Sequence, residues 1–191
     1  MAHQAWKPGT MIYPLPAALI SCGKSEEEYN LITVSWLGTI CTDPAMCYIS
    51  LRPGRHSYKI IEQNKAFVIN LTTEAIAQAT DWCGVRSGAN CNKWIETGLT
   101  PIASKNVAAP YIKESPLCIE CKVQNIIKIG THDMFIASVE GLLADDRYID
   151  SETGRFELEK SGLLAYSHGH YYKLGKEIGK FGWSVEKKRK K

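Results

Sequence analysis

Arg52 and Arg55 flank a Pro53-Gly54 pair, and His56-Ser57 follow at once. A guanidinium presents a planar fork that matches phosphate oxygens in paired hydrogen bonds. Pro53-Gly54 breaks a strand and lets the backbone turn sharply. Ser57 can cap the helix that follows, whose free N–H groups and dipole favour an anion. With Ser50 just upstream, the corner has the parts of a phosphate site. The same residues also read as a solvated basic turn with an ordinary cap, because a helix start binds an anion only when something else brings the ligand there.

The elements that must position this corner are short and apolar. Leu31 to Cys41 is rich in β-branched and aromatic residues and reads as a strand. Thr42-Asp43-Pro44 is a turn signal, and Met46 to Leu51 is a second strand. A short helix is expected over Tyr58–Asn64, then a buried strand at Phe67–Leu71 and a helix from Thr72 to about Trp82. Cys83 to Trp94 carries Gly84 and Gly88 around Ser87, the pattern of a loop that hugs a ligand. Lys93 begins a short helical piece, and Leu99–Pro110 reads as a long connection. Leu117–Ile129 and Phe135–Leu143 read as strands joined by a Gly130-Thr131-His132-Asp133 hairpin turn. Asp145–Lys160 should be exposed, and Gly162–Tyr166 a late strand. Met11–Cys22, with Pro14 and Pro16, is expected at a sheet edge. Many short strands with few helices predict a mainly β, antiparallel, closed or nearly closed barrel.

Composition bounds the function. At 191 residues the default is one domain with a real core. We expect that domain over residues 1–183 and a basic, disordered tail over 184–191. The formal net charge is +3, but Lys187–Lys191 alone contribute +5 and leave the rest of the chain at −2. The body is therefore not a nucleic-acid surface. No apolar run reaches the ~18–20 residues that span a bilayer, and the start lacks the pattern of a signal peptide, so a cytoplasmic protein is expected. Seven scattered cysteines argue against a disulfide framework. Cys118 and Cys121 have metal-like spacing without a second such pair, and on a strand they would face opposite ways. His168 and His170 lack close acidic or thiol partners, so no metal is expected. Cys83 beside the loop is either a reactive thiol or an inert small residue. Trp36 reads by default as core, and His132 as an exposed turn residue.

The run TVSW at 33–36, then SLRPGRHSY, FVINL, CGVRSG and GTHDMFIASV, in that order, resembles the flavin reductase-like family with the FMN-binding split barrel, in its flavoredoxin-like branch. The resemblance covers roughly residues 14–182. It implies an antiparallel split β-barrel with a few short helices, holding FMN. FMN needs donors for its phosphate, here Ser50, Arg52, Arg55, His56 and Ser57. Its pyrimidine edge needs a strand or loop backbone, here Thr33, Val34, Ser35 and Trp36. Thr39 is counted with this stretch as a cofactor contact. Reduction develops negative charge near N1 and C2=O, which Lys93 and His132 could stabilise, though Lys93 could instead reach the phosphate. The resemblance adds Ser87 and Lys93, places His132 beside the isoalloxazine as the catalytic residue, and matches Tyr166 to an aromatic near the ring. It implies an NAD(P)H-dependent flavin reductase, with hydride passing from nicotinamide to FMN N5 and electrons then to an acceptor. The alternative is a flavoredoxin-like electron carrier between redox proteins. No G-x-G-x-x-G follows a strand, so a nicotinamide would lie over the flavin without a domain of its own. The family also implies a homodimer.

Overall fold

The computed structural model describes residues 1–186; Lys187–Lys191 of the basic tail lie outside the described residues. In chain order the strands are β1 (Leu15–Pro16), β2 (Ala18–Cys22), β3 (Asn30–Val34), β4 (Leu37–Cys41), β5 (Met46–Leu51), β6 (Ala66–Leu71), β7 (Pro101–Ala103), β8 (Pro110–Ile112), β9 (Leu117–Lys128), β10 (Asp133–Ala144), β11 (Leu164–Ser167) and β12 (His170–Lys173). The α-helices are α1 (His56–Asn64), α2 (Ala77–Val85) and α3 (Lys93–Thr97). No helix is long and apolar enough to cross a membrane.

Seven strands form one antiparallel sheet in the order β3-β2-β6-β9-β10-β5-β4. Its first and last strands are consecutive in the chain, joined only by Ser35 and Trp36. The edges of a flat seven-stranded sheet would lie about 29 Å apart at the usual strand spacing. A two-residue link reaches about 11 Å. The sheet must therefore curl until its edges meet, which is what makes it a split barrel. The β4–β5 pairing runs on into the link, where Ser50 N–H donates to the Trp36 carbonyl at 2.8 Å. Register shifts at Ile136/Ala137, Val139/Gly141 and Thr39/Cys41 add the local twist that curling needs.

Inward-facing residues fill the barrel: Ile20, Ile49, Phe67, Ile69 and Phe135 are all buried in one cluster. Strand β5 alternates half-buried and buried positions, the period-2 pattern of a strand with one face inward. A second cluster on the outer face joins Leu19 and Leu31 to Cys83 of α2 and Trp94 of α3. These two helices are thereby fixed against β2 and β3, next to the seam. Cys118 and Cys121 fall in different clusters on opposite faces, as their spacing predicts. All seven cysteines are free.

Several expected boundaries move. The stretch Leu31–Cys41 is two strands rather than one, because the chain must change sheet edge at Ser35-Trp36. Ala18–Cys22 is not an edge strand: it lies between β3 and β6 and is buried throughout. Both prolines precede it, so every N–H it needs for pairing is present. The helix expected from Thr72 begins as a 3-10 turn at Glu74–Ile76 and runs on to Val85. Leu99–Pro110 is not wholly irregular, since β7 pairs with β8 across it. The late strand β11 gains β12 as a hairpin partner and β1 on its other side.

Asn70 of β6 joins three strands. Its Nδ2 donates to the Leu19 carbonyl at 2.9 Å and to Ser21 Oγ at 2.8 Å, and its Oδ1 accepts from Ile112 N–H at 2.8 Å. Asn70→Ala leaves buried backbone groups unpaired and should cost about 2–4 kcal/mol, against roughly 0.5–1.5 kcal/mol for Ile69→Val next to it. Urea unfolding of the two variants checks this; equal midpoints would contradict the role given to Asn70.

Candidate functional site

The seam opens into a cavity of about 270 Å³. One wall is the end of β3 and the link, Thr33 to Trp36. The facing wall is Ser50 and Leu51 at the end of β5, with Arg52 and Arg55 beyond. The β9–β10 turn supplies His132, and β11 supplies Tyr166. The His132 ring lies 4.4 Å from the Trp36 ring, tilted by 44°. The Thr33 hydroxyl is spent on the Thr80 carbonyl of α2, so what Thr33 offers the cavity is backbone.

A narrower cavity of about 140 Å³ adjoins the first and shares Ile32 and Arg55 with it. It is bounded by Asn30, the start of α1, the Ser87-Gly88 loop and Lys93. Together the two fall in the size range of small-molecule clefts, ~300–1,000 Å³.

The corner is built as a tight turn in which Arg55 N–H donates to the Arg52 carbonyl at 3.0 Å. Arg55 is the N-cap of α1 and makes no side-chain cap bond. The first N–H groups of the helix therefore keep their free donors and the positive end of the dipole. Ser57 is not the cap. It lies one residue inside the helix, is buried, and its hydroxyl accepts from Asn30 Nδ2 at 2.7 Å. That bond pins the start of α1 to β3. Asn30 also explains Gly88: a Cβ there would lie 2.1 Å from Asn30 Oδ1, so only glycine lets the loop pass.

The electrostatics are one-sided. No acidic side chain lines either cavity. Among the described residues neither Arg52 nor Arg55 is in an ion pair. Lys93 is 3% exposed, and its Nζ donates to the Cys83 carbonyl at 2.6 Å. Burial pushes its pKa below the ordinary lysine value, and the charge of Arg55 acts the same way. His132 is likewise held below 6.5, by burial first and then by Arg52 and Arg55. Unpaired guanidinium groups that lower the pKa of a neighbouring lysine and histidine mark a candidate anion site. Cys83 is fully buried, and burial raises its thiol to about 11, which favours the reading as an inert small residue.

The predicted residues fall out as follows. Thr33, Val34, Ser35, Trp36, Ser50, Arg52, His132 and Tyr166 line the larger cavity. His56, Ser57, Ser87 and Lys93 line the smaller one, and Arg55 lines both. Ser50 thus faces the larger cavity, together with Arg52 and Arg55, and not the smaller one. Lys93 sits with the corner, in line with the phosphate alternative. Thr39 lines neither: it is exposed on β4, paired with Cys47. Trp36 is not core; it is 36% exposed and walls the cavity. Asn30 and Gly88 were missed as a pair, although the glycine-flanked serine had marked the loop. No cluster of metal-ligating side chains occurs among the described residues.

This donor set fits FMN: a broad pocket with backbone and aromatic walls leads into a narrow one with unpaired cations and free helix N–H groups. The family model for the flavin reductase like domain matches residues 10–175. The fold is similar to the flavoredoxin of Desulfovibrio vulgaris (Miyazaki F), with TM-score 0.88 and 26% identity over 97% of this chain and 100% of that one. It is also similar to an FMN-binding protein from Thermus thermophilus, with TM-score 0.78 and 21% identity over 94% of this chain and 99% of that one. In sequence the chain is 21% identical over 134 residues to the NADH-dependent flavin reductase StyB of Pseudomonas fluorescens, covering 70% of this chain and 74% of the relative.

The buried lysine gives a pH test on the ligand-free protein. A folded-state pKa below 10.5 means that the unfolded chain binds more protons between the two values. The destabilisation is full below the folded pKa and is relieved as pH rises through it. Stability of the protein relative to Lys93→Met should therefore improve as pH rises from neutral toward 10. A difference in melting temperature that stays flat over this range would contradict a depressed Lys93.

Proposed function

The chain belongs to the flavin reductase-like family, and from that premise we propose that it is an FMN-binding oxidoreductase reduced by NADH or NADPH. The unpaired Arg52–Arg55 corner at the mouth of a seam cavity carries this reading. Bound FMN would supply reversible acceptance of a hydride or of single electrons. The chain's own residues do the rest. Arg52 and Arg55, with the free N–H groups of α1, neutralise a terminal phosphate; Lys93, Ser57 and Ser87 close around it. The Thr33–Trp36 backbone offers donors and acceptors to the edge of a planar ring system. His132, whose pKa burial, Arg52 and Arg55 lower, can take up a proton when negative charge develops beside it. Trp36 and Tyr166 keep water from the ring's faces.

Trp36 on the seam cavity, and Met11 and Ile12 on the neighbouring outer surface, stay exposed in a single chain. We propose that a second copy covers them and that the working form is a homodimer. A second reading, an electron carrier between redox proteins, is favoured by the likeness to flavoredoxin over 97% of the chain.

Anaerobic mixing of the FMN-loaded protein with NADH or NADPH, followed at the flavin absorption band, separates the two. Bleaching on the turnover timescale supports the reductase; no bleaching, with fast reduction by an iron–sulfur protein, supports the carrier. Arg55→Ala should weaken FMN binding by about 1.5–3 kcal/mol, some 10- to 150-fold, through loss of a charge-assisted bond. Unchanged affinity would show that the corner does not hold the phosphate. His132→Ala should shift the flavin midpoint potential by more than it shifts affinity, read by spectroelectrochemistry.

A further inference from the structure

Asp133 is a buried carboxylate that the flavin reading leaves without a task. It is 4% exposed, lines neither the seam cavity nor the narrower one beside it, and makes no ion pair among the described residues. Its partner is a phenol: the Tyr58 hydroxyl donates to Asp133 Oδ2 at 2.6 Å. Tyr58 is buried too, and its ring stands edge-on to Phe135, 5.1 Å away. Asp133 first, and then burial, raises the phenol to about 12, so it remains a donor. Burying a carboxylate on one neutral partner costs stability, and an apolar pair of the same shape would not. Stability alone therefore gives no reason for the bond. In the sequence, Asp133 is only the end of a hairpin turn and Tyr58 only the start of a short helix.

Position supplies the reason. Tyr58 lies in the first turn of α1, whose N-cap is Arg55. Asp133 begins β10 and directly follows His132. One contact thus joins the cationic corner to the turn that carries His132. The turn cannot anchor itself: residues 128–131 are exposed, and the His132 ring is bonded inside the turn, Nδ1 to Thr131 Oγ1 at 3.0 Å. The residue before Tyr58 is fastened on the other side, where Ser57 accepts from Asn30 of β3. Strand β3 is one edge of the sheet, and β10 lies two strands in from the other. The two bonds therefore hold the start of α1 to both sides of the seam. We propose that Tyr58 and Asp133 are positioning residues for the flavin reaction, and that their bond sets the distance between His132 and the Arg52–Arg55 corner. A ring and its phosphate then meet their partners at one fixed spacing. The proposal rests on the flavin reading of the seam cavity and deepens it by assigning two residues that line no cavity wall.

The direct test is the NMR signal of the His132 ring in the flavin-free protein, taken at about pH 8, where a histidine held below 6.5 is neutral. The His132→Gln variant identifies the signal by its loss. With its ring 4.4 Å from that of Trp36, His132 should carry a ring-current shift. Tyr58→Phe keeps the contact with Phe135 and removes the bond. It also strands a buried carboxylate, so a second pair repeats the comparison: Asp133→Asn keeps an acceptor for the phenol and Asp133→Ala does not. In Tyr58→Phe and Asp133→Ala the His132 signal should move toward that of a free histidine. In Asp133→Asn it should stay, and His170, on β12, should not move in any variant. An unchanged His132 signal in Tyr58→Phe and Asp133→Ala, or an equal change in Asp133→Asn, would overturn the proposal. In the FMN-loaded protein Tyr58→Phe should lower the flavin midpoint potential, and the shift should vanish when His132→Gln is combined with it. The same shift with and without His132 would also overturn the proposal, since the bond would then be structural only. A protein that takes up no flavin yet gives the expected ring signals would sink the proposed function and leave the placement of His132 by Tyr58 and Asp133 standing.

Discussion

The two-residue link between opposite edges of the sheet is the constraint from which the site follows. Ser35 and Trp36 cannot span an open seven-stranded sheet, so the sheet closes on itself. Closure brings the end of β3 beside the end of β5. The Arg52–Arg55 turn, the start of α1 and the seam then share one opening. Trp36, the second residue of the link, becomes a wall of that opening instead of part of the core. The Ser50–Trp36 hydrogen bond is small in energy, about 1 kcal/mol net. Its importance is geometric: it extends the β4–β5 pairing into the link and holds Trp36 beside Ser50.

Charge is concentrated where the fold can least neutralise it. Arg52, Arg55 and Lys93 border cavities without an acidic side chain. A protein selected for stability alone would pair them or leave them out, because burying a lysine such as Lys93 disfavours its charged form. Their retention makes sense when an anion supplies the missing charge. The packing around them is correspondingly strict: Asn30 fixes the helix start through Ser57, and Gly88 is the residue that lets the loop approach Asn30.

Much of this was legible from the chain. The apolar strands, the GTHD hairpin and the Pro-Gly corner each obey local rules, so their types could be read without the fold. What could not be read was long-range. Nothing in TVSWLGT says that a strand ends at Val34 and that the next residues cross to the far edge of the sheet; only closure requires it. Ser57 looks like a cap because serine before an apolar pair usually is one, yet the helix starts at His56, two residues before the expected Tyr58, and Asn30, far away in sequence, claims the hydroxyl. Ala18–Cys22 looked like an edge because of Pro14 and Pro16, but those prolines stop short of the strand. The family resemblance located Tyr166 and Ser87, which residue chemistry alone would have left as a strand residue and a loop residue. It also brought in Thr39, which the fold turns outward.

The most direct measurement compares FMN with riboflavin, the same ring without the phosphate, for binding to the flavin-free protein. A cationic corner that grips the phosphate requires FMN to bind at least about 100-fold more tightly at low salt, as expected for two charge-assisted contacts. The gap should narrow as ionic strength rises. Equal affinities for the two flavins at all salt concentrations would contradict it.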